Sequence, residues 1–246
     1  MSQTNKFPSE IVELPSKGLL YPQDSPLASG KLEMKYMTAK EEDILTNQNF
    51  IERGVVIDKL LQALIVDKKV EYNTLLIGDK NALLIAARIL GYGKDYEFSY
   101  GTGKEVIDLS LLNNKTVDED QFKDGKNEFE WKAPATGTVI KFKLLTHGDE
   151  QKVQTEVKGL QKINKESSAE LSTRLKYMIL AVDGSEDTKE IREFVDNRFL
   201  ARDSREFRKH IEKISPDVDM TFYPEGIEEG VSIPIGVTFL WPDANI

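Results

Sequence analysis

Apolar and polar residues change their spacing several times along this 246-residue chain, and those changes divide it. Residues 1–37 have no helical period. Pro8, Pro15, Pro22 and Pro26 interrupt them, and proline favours extended backbone and turns over helix. This predicts an extended N-terminal arm whose apolar residues, Ile11, Val12, Leu14, Leu19, Leu20 and Tyr21, lie against their own domain or a neighbouring subunit. Thr38-Ala39-Lys40-Glu41 has the form of a capping box and predicts a helix running to about Asn49. After a break at Gly54, Val56, Ile57, Leu60, Leu61 and Leu64 make a broad apolar stripe, predicting a helix over 55–66. A third helix is expected over 80–90, closed by Gly91 and Gly93.

From Tyr96 the pattern alternates. The segments 96–100 and 105–109 flank Gly101-Thr102-Gly103-Lys104 and predict a short-turn hairpin. A polar loop over 113–126 precedes two strands near 128–131 and 138–145. Helices are expected over 149–164, 168–181, 188–200 and 204–214, with start signals such as Asp187-Thr188-Lys189-Glu190. Two closing strands follow, near 218–223 and 231–241. No repeat of 20 to 50 residues is present. The pattern describes an α+β fold in which helical bundle segments alternate with antiparallel β-hairpins behind an extended N-terminal arm. It divides into 1–37, 38–146 and 147–246, the last two separate or integrated.

Composition narrows the chemistry. The apolar fraction of 39% and charged fraction of 30% fit a globular protein with a substantial core. No apolar run approaches the roughly 18 to 20 residues of a membrane span, and Met1 to Phe7 lacks the apolar core of a secretion signal. The expectation is a protein made and used in cytosol. With no cysteine, disulfides, thiolate catalysis and Cys-based metal sites are excluded. A net charge of −9 argues against general nucleic-acid binding and for protein partners.

Few motifs point to catalysis. Gly101-Thr102-Gly103-Lys104 fails as a phosphate loop, because Phe98 and Glu105 stand where a Gly and a Ser or Thr are required. His147 and His210 are the two histidines, far apart in sequence. An enzyme reading would have to use His147 with Asp149 or Glu150 as a hydrolase. Arg198, Arg202, Arg205 and Lys209 recur at helical spacing, interleaved with Asp196, Asp203, Glu206 and Glu212. This reads as a solvated, ion-paired face. Trp241, near the end of the closing aromatic strand, is either core or an interface anchor.

The ordered set Leu14-Pro15-Ser16-Lys17-Gly18, Met37 to Thr46, Asp58-Lys59-Leu60-Leu61, Gly78 to Ile89 and Tyr92-Gly93 resembles the T-even-type phage baseplate hub assembly family. Further on, the match takes in Leu144-Leu145-Thr146 with Glu150, Ser215 to Asp219, and Phe239-Leu240-Trp241-Pro242. The resemblance implies a non-enzymatic role in building the hub of a contractile tail, as a hub component or as an assembly chaperone that departs. It implies other hub or tail proteins as partners, with no cofactor, nucleic acid, membrane or small-molecule substrate. It places the chain in host cytoplasm during assembly and, if retained, in the tail baseplate. Leu14, Pro15, Ser16, Gly18, Tyr21 and Trp241 become the candidate interaction residues. In one respect the chain departs from the family. Similar phage proteins often carry two Cys-x-x-Cys pairs able to hold zinc, where this chain has Tyr100-Gly101-Thr102-Gly103 and Tyr223-Pro224-Glu225-Gly226. The expectation is that the two hairpins still meet, through Phe98, Val106, Phe222 and Phe239.

Overall fold

The first 37 residues are folded back on the chain wherever they are described. Strand β1 (Ser9–Glu13) pairs antiparallel with β2 (Lys31–Lys35) in the register Ile11 to Glu33. The intervening segment is a series of tight turns ending in a 3-10 turn, Pro26–Ser29. The computed structural model describes residues 8–122, 125–163, 169–224, 229–235 and 239–241. The expected extended arm is thus corrected to a wide hairpin. The prolines do prevent helix, as read, but they shape turns that close on the chain itself.

The capping-box helix is α1 (Ala39–Leu45), and the Glu41 carboxylate reaches back to the Thr38 amide at 3.1 Å. It stops earlier than expected. Asn47 caps a separate short helix α2 (Gln48–Glu52), accepting from the Phe50 amide at 3.2 Å. Next comes α3 (Val56–Leu64), with Val56, Leu60, Leu61 and Leu64 buried as its stripe predicts. The long helix α4 (Ile77–Tyr92) follows. It begins three residues before the expected start, with Leu76 as its N-terminal boundary.

The alternating region is a hairpin of β3 (Asp95–Tyr100) and β4 (Gly103–Asp108), so the glycine-rich loop is its turn. Strands β5 (Phe129–Lys132) and β6 (Val139–Phe142) pair next. Helix α5 (His147–Ile163) then opens at a Thr146–Asp149 capping pair, in which Asp149 accepts from the Thr146 hydroxyl at 2.9 Å. Helix α6 (Glu170–Met178) runs directly into β7 (Ile179–Val182), which adds to the free side of β6. That strand cuts short the helix expected over 168–181, which forms over Glu170–Met178 and gives way at Ile179. Ile179-Leu180-Ala181-Val182 is a short, partly β-branched run ending at the Asp183-Gly184 turn, and edge pairing with β6 wins over continued helix.

Helix α7 (Thr188–Glu193) passes through a wide π-type turn, Phe194–Arg198, before α8 (Ala201–Ile214). The closing strands are far shorter than expected. Among the described residues, β8 (Thr221–Phe222) and β9 (Val231–Ser232) pair, and Pro234 follows shortly after the second. Part of the predicted closing strand, 236–238, lies outside the described residues, as do the acidic neighbour Glu228 and Ser168 of the expected α6 start.

Apolar side chains from 8–37, 38–146 and 147–241 join one continuous buried cluster. Within it, Phe142 on β6 meets Phe207 on α8 edge-on, with ring centroids 4.9 Å apart. Asp203, read from sequence as part of a solvated face, is instead fully buried. It accepts from the Ala135 amide (2.9 Å), the Thr136 amide (3.2 Å) and the Thr136 hydroxyl (3.0 Å), tying the β5–β6 turn to α8. Arg198, Arg202, Arg205 and Lys209 are exposed as expected.

Candidate interaction site

Four of the stretches singled out in the sequence, Leu14 to Gly18, Gly78 to Ile89, Leu144 to Thr146 and Ser215 to Asp219, are distant along the chain and meet around the first turn of α4. Asp79 in that turn is fully buried. Its Oδ1 accepts from the Ser16 amide at 2.9 Å, and its Oδ2 from the Ser16 hydroxyl at 2.7 Å and the Tyr21 hydroxyl at 2.5 Å. The Tyr21 oxygen in turn accepts from the Leu76 amide, 2.9 Å away, and the Ser16 oxygen from the Gly18 amide at 3.2 Å. Both Asp79 oxygens are thus engaged by donors from the N-terminal hairpin. Burial pushes the Asp79 carboxyl up, and the hydrogen bonds from Tyr21 and Ser16 pull against it. The Tyr21 phenol is pushed up by its burial and by the charge of Asp79.

Gly18 has a structural reason to be glycine. Its φ is +78°, and a Cβ there would meet the Ala28 carbonyl oxygen at 2.4 Å. The same holds more severely at Gly78, where a Cβ would stand 1.8 Å from the Pro216 carbonyl oxygen. The segment carrying Pro216 is fastened beside it by Asn81, which donates to Asp217 Oδ1 at 3.1 Å. Leu144-Leu145-Thr146 joins through Ile77 N to Leu145 O (3.4 Å) and His147 N to Leu75 O (2.7 Å).

The candidate interaction residues are thus engaged inside the chain. Leu14, Pro15, Ser16, Gly18 and Tyr21 are buried. Trp241 is half-buried, and its indole Nε1 donates to the Leu45 carbonyl at 3.1 Å. Their first use is to hold the N-terminal hairpin and the C-terminal aromatic onto the helices.

His147 is buried too, but away from the partners an enzyme reading assigned to it. Its Nε2 is 3.3 Å from Asp58 Oδ2, and its Nδ1 3.1 Å from the Lys80 ammonium. Lys80 and Tyr72 both donate to Asp58 Oδ1, at 2.7 and 3.0 Å. An ammonium has only protons to offer, so Nδ1 accepts, while Nε2 faces both Asp58 and the Gln151 amide group, 3.0 Å away. Asp149 is engaged by Thr146 and by Lys143 (2.7 Å), and Glu150 by Arg174 (2.7 Å). The pairing of His147 with either acid is not assembled. Sequence reading missed the Asp58–Lys80–His147 cluster, because its members lie on α3, α4 and α5 and only folding joins them.

Burial pushes the Asp58 carboxyl up, but hydrogen bonds from His147 and Lys80 outweigh it and hold the group well below the usual carboxylate range. A depressed folded-state pKa contributes stability that is present above the unfolded value, about 4, and lost as pH falls through the folded value. Asp58→Asn is expected to cost about 2 kcal/mol at pH 7. Relative to the parent, the variant's stability should also fall less steeply below about pH 4. Urea titrations at pH 7, 4 and 3 measure both effects.

The hairpins β3–β4 and β8–β9 meet, as expected. Phe222 packs edge-on against Phe98, with centroids 5.5 Å apart, and contacts Tyr100 at 6.0 Å. Tyr96 packs on Phe239 at 5.0 Å and donates its hydroxyl to the Pro234 carbonyl at 2.7 Å. Val106 takes no part. It points outward from β4, opposite Glu97, and is 61% exposed. Glu225 and Gly226 lie outside the described residues.

The convergence leaves a cleft of about 310 Å³ between the start of α4, helix α6 and helix α8. Leu171, Leu175 and Met178 line one wall at helical spacing, and Arg208 and Ile211 line the other, over a floor that includes Leu76 and Pro216. Among the described residues, no cluster of His, Asp and Glu is arranged to hold a metal ion, and no helix is long and apolar enough to cross a membrane. Comparison with protein-family models, with curated proteins and with solved structures finds no match.

Proposed function

We propose that this chain is a non-enzymatic morphogenesis protein of a contractile phage tail, acting in the baseplate hub or in its assembly through contacts with other tail proteins. One observation carries the reading. The two hairpins that stand where similar phage proteins often place Cys pairs pack directly together, Phe98 against Phe222 at 5.5 Å. That contact joins the two hairpins without cysteine ligands. The meeting of Leu14 to Gly18, Leu144 to Thr146 and Ser215 to Asp219 at the first turn of α4 also supports it.

Most apolar residues of the N-terminal hairpin are engaged with their own chain, while Ile11 and Leu19 stay exposed on it. Apolar side chains left at the surface include Leu111, Leu171 and Tyr223. Quantitative mass spectrometry of purified mature tails and of hub precursors tests the proposal. Stoichiometric presence in tails is expected for a hub subunit, and presence in precursors alone for a departing chaperone. Absence from both overturns the reading.

A further inference from the structure

The cleft between α6 and α8 is a groove walled by two helix faces. On α6 the apolar wall follows positions i, i+4 and i+7 through Leu171, Leu175 and Met178, and Leu171 at its mouth is 46% exposed. Ile211 faces it from α8, and Leu144 and Leu145 stand behind. Its volume of about 310 Å³ is at the lower end of the roughly 300–1,000 Å³ of ligand sites, which suits a few anchor side chains.

The charges lining the groove are unequal in their partners. Arg174 is held by Glu150 at 2.7 Å. Asp217 Oδ1 accepts from Asn81 and from the Val218 amide at 2.8 Å. Arg208 is exposed, and its guanidinium makes a long bond from Nε to the Ser204 carbonyl (3.4 Å). Among the described residues no carboxylate lies within ion-pairing distance of it. In a chain of net charge −9, a cation without an acid beside an apolar groove is an invitation to a foreign carboxylate.

We propose that this groove docks an amphipathic helical peptide segment of a partner protein, with its apolar residues seated between α6 and α8 and an acidic side chain paired to Arg208. Helix-in-groove recognition needs this combination of apolar anchors at i, i+3 and i+4 and a flanking charge. The choice of a peptide rests on the assembly reading. The test uses the isolated full chain, so its failure is separable from absence of the protein in tails.

The probe is an Ala-based, helix-forming peptide with Leu at i, i+3 and i+4 and a neighbouring Glu, compared with its Gln and Lys versions. Binding is followed through the methyl signals of Met178 and Leu171 in the full chain. The Glu peptide is expected to shift both signals and to bind about tenfold more tightly than the Lys peptide. In Arg208→Glu that preference should reverse. Arg208 is exposed, so the variant is expected to keep its fold, checked by its circular dichroism spectrum. Arg208→Gln, expected to bind the Glu and Lys peptides alike, is the second variant. Equal binding of the three peptides to the parent, or shifts away from these methyls, overturns the proposal. So does the absence of peptide binding, including the case where decanoate binds instead. Concentration-dependent shifts without peptide would identify a second copy of the chain as the occupant, and would also overturn it.

Discussion

Asp79→Asn is expected to destabilise the chain by about 3–5 kcal/mol, the magnitude of removing one partner from a buried, charge-assisted network. The substitution is nearly isosteric, so its cost comes from proton accounting. The hydroxyls of Tyr21 and Ser16 accept from backbone amides and donate to Asp79. A third donor, the Ser16 amide, completes the set. An asparagine has one acceptor oxygen and would turn an NH₂ group toward at least one of these donors. For a domain of this size the loss should appear as a fall in Tm of about 10 °C, and in a lower urea midpoint with an unchanged m-value. Tyr21→Phe removes one donor to Asp79 and also leaves the buried Leu76 amide without its acceptor, so it should cost about 2–3 kcal/mol. Equal stability of parent and Asp79→Asn would show that the node is not held as described.

The second large effect is expected at Gly78. Alanine is the better helix former by about 1 kcal/mol, and on an exposed helix the change would stabilise. Here a Cβ would sit 1.8 Å from the Pro216 carbonyl oxygen and 2.8 Å from Asp217 Cα. Both are backbone atoms, which cannot swing aside like a flexible side chain. The segment 215–219 must lift from α4, with loss of the Asn81–Asp217 contact. A net cost of about 3 kcal/mol is expected from such overpacking. Hydrogen exchange gives the more specific readout. Amides of Lys115 and Asp219, which bond to Asp217 and Asn113, should lose protection in Gly78→Ala before those of α4 do.

The contrast between these sites and the helices explains what the sequence made legible. The stripe of Val56, Leu60, Leu61 and Leu64 is local, and so is the Thr38–Glu41 cap, so both can be read from a short window. The helix-to-strand change at Ile179 was not legible. No Gly or Pro marks it, and the apolar run is decided by an empty edge on β6. The N-terminal segment was legible as non-helical but not as folded back, because Ser16 and Asp79 are 63 residues apart. The motif stretches singled out in the sequence contain Ser16, Gly18, Gly78 and Asp79, but the job each does is set by partners far along the chain. They look like recognition motifs in the chain and act as joints in the fold. Phe98 and Phe222 are the opposite case, since the expected meeting of two distant hairpins is found.

Attaching the start of α4 to Pro216, and Leu45 to Trp241, also governs the order in which the protein can be made. During translation, Ser16 and Asp79 can meet once the first 90 or so residues have emerged, as 63 intervening positions allow. The seat of Gly78 against Pro216 spans 138 positions, and the Trp241–Leu45 bond spans 196. Contacts of such separation form slowly, because the intervening chain must first be closed into a loop. The nascent chain therefore carries a finished N-terminal hairpin beside an uncovered flank of α4 until residue 216 leaves the ribosome. A ribosome stalled before that point holds a protein whose Leu76–Pro216 groove floor has not yet been built.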